Sequence, residues 1–136
     1  MAQNMKIYSW NMLFRNKELD RAFEFIKESD FDVFCLQEVP EEFLKRLQTL
    51  PYAIAFRTDV ERLFAKDTKH LFVVILSKHP IKMQNEIPFP DYQSLMPLRT
   101  RFFIYLMRPF HFSKIRNRGG IYADVAIGEH ILRIFN

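Results

Sequence analysis

Two segments constrain the fold more than any other part of the chain: Met5-Lys6-Ile7-Tyr8-Ser9-Trp10-Asn11, and Asp32-Val33-Phe34-Cys35-Leu36-Gln37-Glu38-Val39. Each is an apolar, strand-like run that ends in a polar group able to do chemistry, Asn11 on the first and Glu38 on the second. The helix-length segment between them predicts a β-α-β unit, whose strands run parallel and whose crossover is nearly always right-handed. Parallel neighbours place both C-terminal ends on one edge of the sheet. Open α/β sheets put their sites on that edge.

Local chemistry supports the unit. Asn16 is a good N-cap, and Leu19, Ala22, Phe23 and Ile26 follow the spacing of one buried helical face, which Ser29-Asp30 then ends. Val33 to Leu36 is unbroken and apolar, as in a strand covered on both faces. Pro40 suits the first turn of a second helix, Glu41 and Glu42 lie near its positive end, and Phe43, Leu44, Leu47 and Leu50 supply its core face. Singly, an Asn at a strand end is ordinarily a turn residue, and a Glu before a helix a solvated charge. Together on one edge they form a candidate site.

The remaining chain reads mostly as strands. Tyr52 to Arg57 is one, and Val60 to Lys69 is polar, predicting a loop or short helix. Leu71 to Ser77 and Ile81 to Ile87 predict an antiparallel pair around Lys78-His79-Pro80, with Pro88, Pro90 and Pro97 then breaking regular structure. Ile121 to Ile127 and His130 to Phe135 flank Gly128-Glu129, a Gly-first turn of the type II′ hairpin kind. No repeat or linker stands out, so a single domain is expected over residues 1–136.

Composition narrows the classes further. Hydrophobic residues make up 49%, with fifteen Phe, so a sizeable core is available. The longest apolar runs, Leu71 to Leu76 and Phe102 to Met107, are six residues each, far short of a membrane helix. The first residues show no apolar run of a signal peptide, and a lone Cys35 in an apolar strand cannot form an internal disulfide. A reducing, cytoplasmic setting is the expectation, with Cys35 as a core residue. His70, His79, His111 and His130 lack zinc-site spacing, and three Gly residues could hardly build a phosphate loop.

Charge is uneven. Residues 1–62 hold nine Lys/Arg against eleven Asp/Glu, and residues 63–136 eleven against five. The densest basic stretch carries Arg99, Arg101, Arg108, Lys114, Arg116 and Arg118, interleaved with Phe102, Phe103, Tyr105, Phe110 and Phe112. It suits a nucleic-acid track, since basic groups bind phosphates and aromatics stack on bases. A solvated insertion anchored to the sheet by its Phe residues is the plainer reading and the preferred one.

Ser9-Trp10-Asn11 with Leu36-Gln37-Glu38-Val39 resembles the endonuclease/exonuclease/phosphatase (DNase I-like) superfamily. Phe72 to Ile81 is similar to that family's strand and turn before its middle section, and Arg118-Gly119-Gly120-Ile121-Tyr122-Ala123-Asp124-Val125 to the segment in which an Arg precedes the next core strand. The resemblance implies an α/β fold, half of a four-layer α/β sandwich of mixed β-sheets flanked by helices. It implies hydrolysis of a phosphodiester or phosphomonoester with Mg²⁺ or Mn²⁺. Glu38 matches the metal-binding carboxylate, Asn11 the amide that orients the catalytic carboxylate and phosphate, and Arg118 an Arg on the substrate phosphate.

The family also uses an Asp-x-Asn motif, a late Asp-His pair and a His after an Asn- or Thr-ended strand. None of these is in the sequence, which reaches Arg133-Ile134-Phe135-Asn136 about where that last strand leads into its His. The chain therefore resembles the family's N-terminal half. Its alternative role is an inactive module binding nucleic acid or a protein partner through residues 99–118. A half-sandwich would also expose an apolar sheet face, a route to self-association.

Overall fold

The computed structural model describes residues 4–13, 16–63, 68–90, 95–107, 114–116 and 118–136, with backbone alone for 60–63, 68–69, 104, 107 and 114–116. The order of elements is β1 (Ile7–Asn11), α1 (Leu19–Glu28), β2 (Val33–Pro40), α2 (Glu41–Leu47), β3 (Ala53–Leu63), β4 (Thr68–Ser77), β5 (Ile81–Pro88), α3 (Leu98–Met107), β6 (Lys114–Arg116), β7 (Gly119–Ile127) and β8 (His130–Phe135). The fold is α/β. One sheet has the order β1-β2-β4-β3-β6, the other β5-β7-β8.

The expected β-α-β unit is present. β1 and β2 pair in parallel from Ile7↔Val33 to Asn11↔Gln37, so both strands end on the same edge. All other ladders are antiparallel. The alternation of β2 and β4 explains the layering. Phe34, Leu36, Val74 and Leu76 face α1 and α2, where they join Ala22, Ile26, Phe31, Phe43 and Leu47. Val33, Cys35, Val73 and Ile75 face the smaller sheet and meet Ile121, Ala123, Val125 and Ile134. Each fully buried large side chain contributes roughly 1.5–3 kcal/mol. Phe34 also meets Phe31 edge-on at 5.3 Å, and Phe31 meets Tyr52 at 5.1 Å. Cys35 lies in this core, and burial pushes its thiol up to about 11.

Several local expectations need correction. Asn16 does not cap α1. The N-cap position is Glu18, and Asn16 Oδ1 instead accepts from the Glu18 N–H at 2.8 Å, a side-chain turn ahead of the helix. Pro40 is not inside the first turn of α2 but just before it, in extended backbone, so its missing N–H is no loss. The polar stretch from 60 to 69 is not a loop or helix at its ends. β3 and β4 continue their ladder to Leu63↔Thr68, because backbone pairing does not depend on apolar side chains.

The antiparallel pair expected of Leu71 to Ser77 and Ile81 to Ile87 does not form. β4 lies in the larger sheet and β5 in the smaller, paired with β7. Lys78 N–H donates to Asp32 O at 3.0 Å and Ala126 N–H to Pro80 O at 2.9 Å, so the connection steps between layers. The β7–β8 hairpin is as expected, with Ile127↔His130 closing a two-residue turn. Gly128 has φ +59° and Glu129 does not have a positive φ, the pattern of type II′.

The expected anchoring of the insertion by its Phe residues is also overturned for those described. Phe102 and Phe103 on α3 are exposed. Phe110 and Phe112 lie outside the described residues. The exposed sheet face belongs to the smaller sheet, whose outer side carries Met83, Ile131 and Phe135 around a paired Asp124 and Arg133. That pair is bidentate, at 2.7 and 2.8 Å, and its hydrogen bonds hold the Asp124 carboxyl below the usual carboxylate range.

Candidate active site

Two irregularities in the larger sheet build the site. β2 pairs Leu36 with Val74 and Val39 with Phe72, so Gln37 and Glu38 together oppose one residue of β4. On the other side of β4, Thr58 pairs with Phe72 and Val60 with Leu71, which leaves Asp59 as the extra residue of β3. Bulges of this kind re-aim side chains and recur beside active sites. Here they flank β4 at Phe72, and each displaces a carboxylate.

Glu38 has φ +54°, a left-handed conformation that side chains with a Cβ rarely adopt. Asn11 Nδ2 donates to Glu38 Oε1 at 3.5 Å, while Asn11 Oδ1 accepts from Leu13 N–H at 2.9 Å. Leu13 is the other positive-φ non-Gly residue among those described, at +56°. The two strained residues thus lie on either side of Asn11's amide. Strain of this kind collects at functional sites. The left-handed region disfavours a residue with a Cβ by about 1–2 kcal/mol, and glycine's larger unfolded-state entropy offsets about 0.5–1 of that. Glu38→Gly is therefore expected to be more stable than Glu38→Ala by about 0.5–1 kcal/mol in urea unfolding. Equal midpoints for the two would remove strain from the account.

Asp59 was not legible as a site residue. It is buried, and Arg118 Nε stands 3.9 Å from its Oδ1. Burial raises the Asp59 carboxyl above its usual value. Arg118 and the Gly119 N–H oppose that rise, and the Glu38 charge adds to it. The native state therefore binds this proton more tightly than the unfolded chain, whose Asp titrates at about 3.9. Stability contributed here is complete below the unfolded pKa and lost as pH rises through the folded one. Asp59→Asn carries no such dependence. Its stability relative to the parent is expected to grow between pH 4 and pH 7, and parallel melting curves across that range would contradict a desolvated Asp59.

Asn136 is the second residue that sequence reasoning missed as part of the site. Its Nδ2 donates to Leu36 O at 2.9 Å and Val74 O at 2.8 Å, and its Oδ1 accepts from Gln37 Nε2. Gln37 Nε2 also reaches Ser9 Oγ at 3.3 Å. The pattern that could have found Asn136 is the one that found Asn11, an amide closing an apolar strand. Of the three residues expected in the site, Asn11 and Glu38 meet directly. Arg118 stands beside Asp59, whose carboxyl is raised in part by the Glu38 charge. The described residues hold no cluster of three or more His, Cys, Asp or Glu side chains able to bind a metal by themselves.

No curated protein matches the sequence. Among solved structures, an endonuclease/exonuclease/phosphatase family protein from Leptotrichia buccalis C-1013-b superimposes with a TM-score of 0.63 at 16% identity. The match covers 97% of this chain and 54% of that one, so the chain spans about half the length of that protein. The sequence also fits the pattern of the Endonuclease/Exonuclease/phosphatase family over residues 8–127. With most of its length matched, this chain belongs to that family.

Proposed function

We propose that the chain carries the metal-holding and phosphate-orienting half of a divalent-metal-dependent phosphoesterase, nuclease-like in the first instance. The observation that carries this reading is Glu38, held in a strained bulge with its carboxylate against the Asn11 amide. Mg²⁺ and Mn²⁺ are hard ions that take oxygen ligands, and Mg²⁺ commonly binds one or two carboxylates and otherwise water and phosphate. A lone Glu38 with an amide beside it suits such an open shell, and Glu38 is the residue that would hold the ion. When bound, that ion polarises the phosphoryl group and offsets its charge.

The chain's own residues do the rest of what this half can do. Asn11 fixes the carboxylate's orientation, because its carbonyl is already committed to the Leu13 N–H. Arg118, half exposed beside Asp59, offers a guanidinium to a substrate phosphate oxygen. Gln37 and Asn136 hold the bulge beneath Glu38. No residue here matches the family's general base, whose absence removes a factor on the order of 10²–10⁴.

The rest of the four-layer fold would pack on two surfaces. One is the edge of β1 with an apolar groove of about 490 Å³ lined by Tyr8, Trp10, Phe25 and Phe34. The other is the outer face of the smaller sheet. A cytoplasmic setting belongs to the same reading, supported by the buried thiol of Cys35. No described helix is long and apolar enough to cross a membrane.

The test is hydrolysis of bis(4-nitrophenyl) phosphate by the purified chain, with Mn²⁺ or Mg²⁺ and then with chelator, alongside Mn²⁺ binding by electron paramagnetic resonance. Binding that depends on Glu38 supports the reading, with turnover then measuring how much of the chemistry this half retains. Turnover indifferent to chelator, or Mn²⁺ binding indifferent to Glu38, would overturn it.

A further inference from the structure

We propose that Asp59 competes with substrate phosphate for the Arg118 guanidinium, so that a phosphate group entering the site takes Arg118 from it. The proposal rests on the reading of Arg118 as the group that meets substrate phosphate. Asp59 is the extra residue of the β3 bulge and is buried, while Arg118, whose Nε stands 3.9 Å from Asp59 Oδ1, is half exposed. The guanidinium therefore links a buried carboxylate to open solvent. The backbone on either side of its side chain is held, since Arg118 O accepts from Phe89 N–H at 3.1 Å and the Gly119 N–H donates to Asp59. A carboxylate and a phosphate oxygen call on the same N–H donors of an Arg.

Charge decides how the two share it. Among the described residues, Arg118 is the strongest influence favouring the charged form of Asp59, ahead of the Gly119 N–H. Arg57, on the same strand, acts more weakly, and its guanidinium is tied to Glu86 and Ile87 O. Glu38, from β2, adds a like charge. A buried carboxylate that loses its cation is strongly disfavoured as an ion. An anion bound at Arg118 therefore drives Asp59 toward its protonated form, and by reciprocity a protonated Asp59 favours the anion. Anion affinity is highest at low pH and falls as pH rises through the Asp59 titration. An Asp59 that served as an anchor, holding Arg118 ready for the anion, would give the opposite sign: removing its charge would weaken binding.

The experiment is sulfate titration of the 136-residue chain in chelator, followed by nuclear magnetic resonance at the Gly119 and Gly120 amides. Sulfate keeps one charge state between pH 4 and pH 7, so pH acts on the protein alone. The parent is expected to bind about tenfold more tightly at pH 4 than at pH 7, the order of effect of one like charge close to the anion in a half-exposed site. Asp59→Asn has the shape of protonated Asp59. It should bind about tenfold more tightly than the parent at pH 7, keeping only the part of the pH dependence due to histidines. Arg118→Gln should lose the response at both amides. A parent affinity that is flat from pH 4 to pH 7 would overturn the proposal independently of any variant. Sulfate bound at pH 7 by Asp59→Asn no more tightly than by the parent would overturn it too, while leaving Arg118 as the anion-binding group. Binding indifferent to Arg118→Gln would overturn both the proposal and the role of Arg118. The dependence of Mn²⁺ binding on Glu38 is a separate measurement, on which the phosphoesterase reading stands or fails by itself.

Discussion

On the proposed phosphoesterase reading, Glu38→Gln is expected to weaken Mn²⁺ binding by about a hundredfold and to remove the metal-dependent part of any phosphoester hydrolysis this half retains. The substitution keeps the shape and the left-handed backbone strain of Glu38, at φ +54°, but removes the charge that a divalent ion needs. Losing a residue that merely orients a ligand lowers metal affinity by about 10–100-fold, and losing the ligand itself should sit at or beyond the top of that range. Asn11→Ala tests the orienting role and should fall within it, since the Glu38 carboxylate is kept but loses the 3.5 Å hydrogen bond that orients it. The graded result is the informative one. Equal losses for the two variants would assign Asn11 a direct part in holding the ion. Melting temperatures should change little for Glu38→Gln, which separates a chemical effect from an unfolded protein.

Gly119→Ala should produce the largest loss of stability among single-methyl additions at the site. A Cβ there would lie 1.4 Å from Arg57 Nη1 and 2.6 Å from the Ile87 carbonyl oxygen. Arg57 reaches from β3 in the larger sheet to β5 in the smaller, donating to Ile87 O at 3.1 Å and pairing with Glu86 at 3.1 Å. The methyl group would drive this guanidinium out. A hydrogen bond from a charged group is worth about 1.5–3 kcal/mol, and overpacking adds about 1–3. A loss of about 2–5 kcal/mol is therefore expected in urea unfolding, against the 5–15 typical of a whole domain. Arg57→Ala in the same background provides the control. If the collision with Arg57 dominates, the second substitution will add little to the first, whereas additive losses would locate the damage elsewhere.

Why some of this was legible in the sequence and some was not has a physical basis. β1, α1 and β2 were readable because their signals are local. Ile26 announces the buried face of α1 by helical spacing, the unbroken apolar run from Val33 to Leu36 marks a strand covered on both faces, and the parallel pairing puts the ends of β1 and β2, with Asn11 and Glu38, on one edge. Asp59 was invisible because a bulge has no local pattern; it arises when the β3–β4 ladder must absorb one extra residue. The mistaken pairing of β4 with β5 has a related cause. Lys78-His79-Pro80 reads as a hairpin turn, yet Val73 to Leu76 are covered on both faces while Lys82 to Glu86 are exposed. Strands with such different surroundings belong to different layers. Gly119 gave no local signal of its role, since what a Cβ there would meet, Arg57 on its path across the sheets and the Ile87 carbonyl oxygen, comes from distant strands.

The three hydrogen bonds of the Asn136 amide impose an order on biosynthesis. They join residue 136 to Leu36, Gln37 and Val74, separations of up to 100 positions. Glu38 is made early, but the floor under its bulge arrives about a hundred residues later. Contacts so distant in sequence close late in folding, because the loop entropy is lost before the contact can reward it. A nascent chain would thus carry Glu38 in an unsupported bulge until Asn136 has been made, and the geometry around Glu38 would be completed only then. Hydrogen exchange during refolding should accordingly protect Phe34 and Cys35 well before Gln37 and Glu38.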